Sequence, residues 1–118
     1  MEQNININGI ISTCKDEYSN AMDLVKEKLV IYLEGPKVFG NEYEIGTPGF
    51  RENLKDNLKR SSAIVFDFIA VYRKYEENEE IKKILAKASN IYEALEEAIG
   101  NINEDIHKSL KQISEIEF

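Results

Sequence analysis

The stretch IKKILAKASNIYEALEEAIGNINEDIHKSLKQISEI, residues 81–116, decides the fold. A 4–3 spacing through it selects Ile81, Leu85, Ala88, Tyr92, Leu95, Ile99, Ile102, Ile106, Ser109, Ile113 and Ile116. All of these are apolar except Ser109. Steps of four and three residues return to one side of a helix, so the segment predicts a helix with a coiled-coil-grade seam. Glu77, Glu79 and Glu80 stand ahead of it, where a helix N-terminus favours negative charge. The step of six from Tyr75 to Ile81 loses the phase of the preceding stripe and predicts a turn near Glu77-Asn78.

Gly100-Asn101 leaves two alternatives. Asn101 with Glu104 three residues on has the form of a capping box and would begin a new helix. The heptad nevertheless passes through without a phase error, which favours one unbroken helix over 79–117, about 58 Å long. A compact domain of this size has a diameter near 35 Å, about twice a radius of gyration of 13.5 Å. An unbroken helix therefore predicts an elongated molecule that pairs with another chain.

Upstream, Tyr18, Met22, Val25, Leu29 and Leu33 form an amphipathic stripe from about Asp16, which Gly35-Pro36 should end. Residues 1–15 read as a loose N-terminal segment and 36–49 as an ordered loop or small hairpin around Gly40-Asn41. Thr47-Pro48 reads as a cap and a first helical proline. A stripe then follows through Phe50, Leu54, Leu58, Ser61, Val65, Phe68, Tyr72 and Tyr75. Between Ala63 and Val71 this helix is apolar almost all round, interrupted by Asp67, and should be central and covered on more than one side. The expected fold is all-α: an elongated antiparallel bundle of three helices, or four if broken at Gly100, in a single domain over residues 1–118.

Composition limits the function. The 118 residues carry net charge −7, with 42% hydrophobic and 31% charged, which excludes a disordered chain and a basic nucleic-acid clamp. By segment the charge is −4 over 1–49, +2 over 50–76 and −5 over 77–118. The lone Cys14 forms no internal disulfide. No leader-like or membrane-spanning stretch is evident, so the expected location is cytoplasmic.

Candidate chemistry is sparse. Glu104 and His107 have the Glu-x-x-His spacing of di-iron bundles, but His107 is the only histidine, and an exposed side chain is the better reading. Glu76 to Glu80 and Glu93 to Glu97 supply Glu-x-x-Glu pairs, which on facing helices hold Mg²⁺ against a phosphate. In this they resemble the all-helical NTP pyrophosphohydrolases, which follow Glu-x-x-Glu with Glu-x-x-Asp. Here Glu96 stands where that family has Asp, and no set of phosphate-gripping Lys or Arg stands out. That resemblance implies a Mg-dependent enzyme built on Glu76, Glu80, Glu93 and Glu96. A solvated acidic face explains the same residues. Asp67 reads as a structural or interface acid, and Cys14 has no adjacent base.

The preferred expectation is a non-enzymatic helical protein–protein interaction module without a cofactor. It would be a small bacterial or phage accessory protein of the immunity, inhibitor or secretion-partner kind. The helical hairpin at 50–117 faintly resembles small WXG-type secretion partners, though the chain has no Trp. The expected interface is Ile99, Ile102, Ile106, Ile113 and Ile116, joined by an acidic surface that suits a basic protein partner. Homo-oligomerisation through the seam is expected; nucleic acid and membrane are not.

Overall fold

A computed structural model describes residues 7–39 and 48–118, with the side chains of 31 and 33–39 outside the description. Four α-helices follow one another: α1 (Ile7–Phe39), α2 (Pro48–Tyr72), α3 (Glu79–Asn101) and α4 (Ile106–Ser114), with a 3-10 turn over Arg73–Tyr75. The described residues contain no strand, and the molecule measures 60 × 25 × 19 Å. It is an elongated all-helical bundle.

The helix α1 starts earlier and ends later than the sequence suggests. The Asn/Ile alternation at 4–8 disguises a 3–4 stripe in which Ile7, Ile10, Ile11 and Cys14 continue into Tyr18, so residues 7–15 are helical rather than loose. Ile11 and Cys14 are buried. Gly35-Pro36 does not stop the helix, which runs to Phe39. Proline costs a helix a donor, but its fixed φ is helical. The expected hairpin around Gly40-Asn41 lies outside the described residues.

The expected stripe on α2 is its inner face. Leu54, Leu58, Ser61, Val65, Phe68 and Tyr72 are buried, with Phe50 and Tyr75 packed against them. α1 and α3 flank α2 antiparallel. Tyr72 donates to Glu17 at 2.7 Å and Asn57 donates to the Tyr32 hydroxyl at 2.6 Å, which fixes the register with α1. Ser62 donates to Glu96 at 2.6 Å on the α3 side. Asn78 caps α3, accepting from Glu80 and Ile81 backbone N–H groups, at the turn the phase break indicates.

The long C-terminal helix is not formed. α3 ends at Asn101, and Asp105, extended at φ −155° and ψ 91°, starts α4 by accepting from Lys108 N–H at 3.1 Å. The cap is Asp105, not Asn101. α4 folds back along α3 and also meets α1. The heptad survives because both helices turn their apolar sides to one core, so the spacing persists while the direction reverses. Ser109, the polar member of the pattern, is fully buried and donates to the Ala98 carbonyl at 2.8 Å. Its small side chain lets the two backbones approach. Asn101 donates to Gln112 at 2.9 Å beside it.

Gly100 is an exposed residue of the last turn of α3, and a Cβ there would meet nothing within 4 Å. Gly100→Ala should therefore stabilise the protein by up to about 1 kcal/mol in urea unfolding, and a loss would show that the turn needs the glycine. Asp105→Ala should cost about 1 kcal/mol by removing the cap of α4.

Candidate docking face

The fold-back settles where the five seam isoleucines sit. Ile102, Ile106 and Ile113 are buried within the chain, and Ile99 and Ile116 pack against the same core. They close the bundle from inside and leave no apolar seam on the α3–α4 surface. Among the described residues, exposure of large apolar side chains falls elsewhere, chiefly at Leu24 (48%), Val30 (43%), Phe66 (52%) and Val71 (54%).

Two of these, Phe66 and Val71, belong to one surface, the outer side of α2. α4 lies against α3 and α1, so α2 is covered on two flanks and open on the third. On that open side are Ala63, Phe66, Asp67, Ala70 and Val71, all exposed. Phe66 leans toward α3, its ring centroid 5.9 Å from that of the half-buried Tyr92. Val71 and the half-buried Ile64 follow Asn57 at intervals of seven residues, and two helical turns nearly repeat a direction. They therefore share the α1 edge on which Asn57 meets Tyr32. Leu24, seven residues after Glu17, shares the facing edge of α1 on which Glu17 meets Tyr72.

The outer sides of the neighbours are different. α1 exposes Asp16, Ser19, Asn20, Asp23 and Glu27, and α3 exposes Lys82, Lys83, Glu93 and Glu97. Among the described residues α1 also exposes Leu24 and Val30, six positions apart between polar and charged residues, whereas on α2 the exposed Ala63, Phe66, Ala70 and Val71 fall within nine positions on one side. Covering the exposed half of Phe66 and of Val71 is worth about 1 kcal/mol each. α2 is covered on more than one side, as expected, with α1 and α3 on two flanks and the third open, and Asp67 stands exposed in the middle of the open one.

The other candidates do not gather into a site. Glu80, Glu93 and Glu96 stand on α3 with Glu76 in the turn before it, and Glu80 and Glu93 are about 20 Å apart along one helix. Glu80 pairs with Lys15 at 3.6 Å, and Glu96 accepts from Ser62. Among the described residues, no group of three or more His, Cys, Asp or Glu is placed to hold a metal ion. His107 is exposed at the start of α4, and Glu104 lies in the turn before it. A cleft of about 560 Å³ separates Tyr18 of α1 and Lys87, Asn90, Ile91 and Ala94 of α3 from residues Glu115–Phe118. Lys26 holds its ammonium 5.6 Å from the Phe118 ring beside it. No described helix is long and apolar enough to cross a membrane. No protein-family model, curated protein or solved structure matches the chain.

Cys14 is fully buried, and burial followed by the nearby Glu17 carboxylate pushes its thiol up to about 11. It is an inert core residue. Burial, then the hydrogen bond to Glu17, also raises the Tyr72 hydroxyl. An acid with a folded pKa above its unfolded value loses its proton more readily when unfolded, so stability falls as pH rises. The fall should begin near pH 9.0 and continue toward 11. Cys14→Ala should flatten part of it in melting curves taken across that range, whereas parallel curves would contradict the assignment.

Proposed function

We propose that this protein is a non-enzymatic interaction module that binds a protein partner through the outer face of α2. The observation that carries the reading is the exposed set Ala63, Phe66, Ala70 and Val71 on a helix whose neighbours turn mostly polar and charged side chains outward. Contiguous apolar surface at the centre of an otherwise polar exterior marks a contact site more often than it serves stability. An aromatic ring in that position, Phe66 tilted at 43° to Tyr92, is a typical anchor of a protein interface. The isoleucines first expected to form the interface support the same function indirectly, by building the rigid bundle that presents α2.

An accessory role of the immunity, inhibitor or secretion-partner kind fits such a surface, since each acts by occupying another protein rather than by chemistry. A face of this kind presents one side of one helix, which suits a single docking element.

Phe66→Asp and Val71→Asp place a charge on the face while leaving the buried side of α2 untouched. Each should keep the melting temperature within a few degrees and abolish retention of a partner that the unaltered protein captures from its source cells. Equal recovery by the unaltered and substituted proteins would overturn the reading.

A further inference from the structure

The charges on the outer face of α2 repeat with the same period as its apolar residues. Arg60, Ala63, Asp67 and Ala70 follow one another at steps of three and four along the exposed side of α2, with Asp56 one turn before them, and Lys74 continues the spacing into the 3-10 turn that follows the helix. Phe66 and Val71 flank this stripe, and Lys59 and Arg73 add positive charge at the two ends. The stripe thus reads plus, small, minus, small, plus, with Asp67 seven residues from each end charge. From Arg60 to Lys74 it is about 21 Å long. Among the described residues Asp67 makes no salt bridge, Arg60 pairs with exposed Asp56 at 3.2 Å, and Lys74 holds its ammonium 5.3 Å from the Tyr75 ring centroid, both contacts of small value.

This layout selects among occupants. A second copy of the chain in full register sets Asp67 on Asp67 in either direction. It also sets Arg60 on Lys74 when antiparallel, or each on itself when parallel. An isologous contact always places a patch on its own image, and a palindromic charge pattern then meets like with like. Slipping an antiparallel pair by one heptad matches Arg60 with Asp67 but sets Val71 against Asp56. The opposite slip runs Ala63 past the end of the partner's α2. An anionic bilayer would accept the basic ends, but it repels Asp67 and a chain of net charge −7. The two alanines favour a helix. Small residues seven apart form a low ridge beside Phe66 and Val71, against which large aliphatic side chains of another helix can nest.

We propose that this face takes an amphipathic helix of a different protein, carrying an acidic residue at each end of its apolar stripe and a basic residue midway. The proposal rests on the docking reading above and specifies the partner's chemistry. The matching sequence has acid, large aliphatic, base, large aliphatic and acid at heptad-related positions, so its acidic residues are about fourteen residues apart. Complementary charge steers and registers such a contact more than it tightens it.

Two fluorescent helical peptides test this against the full chain by anisotropy at low salt. One has the acid–base–acid pattern, and the other has the same apolar residues with every charge reversed. The acid-ended peptide should bind at least about tenfold more tightly, and added salt should shrink the difference. A variant combining Arg60→Glu, Asp67→Lys and Lys74→Glu, all exposed positions, should keep the melting temperature and prefer the reversed peptide. Equal affinities, tighter binding of the reversed peptide, or no binding of either at roughly 100 µM would overturn the proposal. Co-sedimentation with phosphatidylcholine vesicles containing one-third phosphatidylglycerol would overturn it in favour of a membrane. Self-association lost on Val71→Asp would overturn it in favour of a second copy. If Phe66→Asp and Val71→Asp still release the cellular partner while the peptides show no preference, the charge pattern fails and the docking face stands.

Discussion

The contact between Ser109 and Ala98 governs what the rest of the molecule can show to solvent. A hydroxyl that donates to a main-chain carbonyl at 2.8 Å, with both residues fully buried, requires α4 to lie close along α3. A buried hydroxyl left without that acceptor would cost about 1–3 kcal/mol. With α4 folded back, Ile102, Ile106 and Ile113 complete the core from within the chain. The same reversal places α4 against α1 and α3 and so leaves the far side of α2 open. The fold-back therefore both completes the core and determines which apolar surface remains.

Much of this was legible in the residues, and what was not has physical causes. The inner stripes of α2 and α3 and the turn at Glu77-Asn78 follow from spacing alone, because a helix that buries one side must repeat every three or four residues. The break after Asn101 is hidden for the same reason. Two helices that share a core keep an apolar period whether the chain runs on or turns back, and periodicity carries no sign of direction. Ser109 did not mark the break either, because a serine can donate to the carbonyl four residues back in its own helix, and Ser61 is buried in the α2 stripe with no break beside it. Gly35-Pro36 misleads in the opposite sense, since proline's fixed φ is itself helical and one missing donor does not by itself end a helix.

The outer face of α2 was half visible. A run from Ala63 to Val71 that is apolar on every side states that some of it is either buried deeply or left over. Which applies depends on how many helices surround it, and only the path of α4 decides that. Asp67 was the informative residue: a lone acid in an apolar run is costly to bury and unremarkable at a surface. The sequence also held the alternation of Arg60, Asp67 and Lys74, but it acquires meaning only once those three are known to face outward.

The distance between residues 87 and 117 tests the fold-back most directly. Both positions are exposed and border the same cleft between α1, α3 and the residues after α4. Spin labels on Lys87→Cys and Glu117→Cys, in a Cys14→Ala background, report it by pulsed electron resonance. The folded-back chain predicts a separation of about 20 Å or less, since the helices pack about 10 Å apart. A single distribution near 45 Å, the length of thirty residues of straight helix, would contradict it and return the isoleucine seam to the surface.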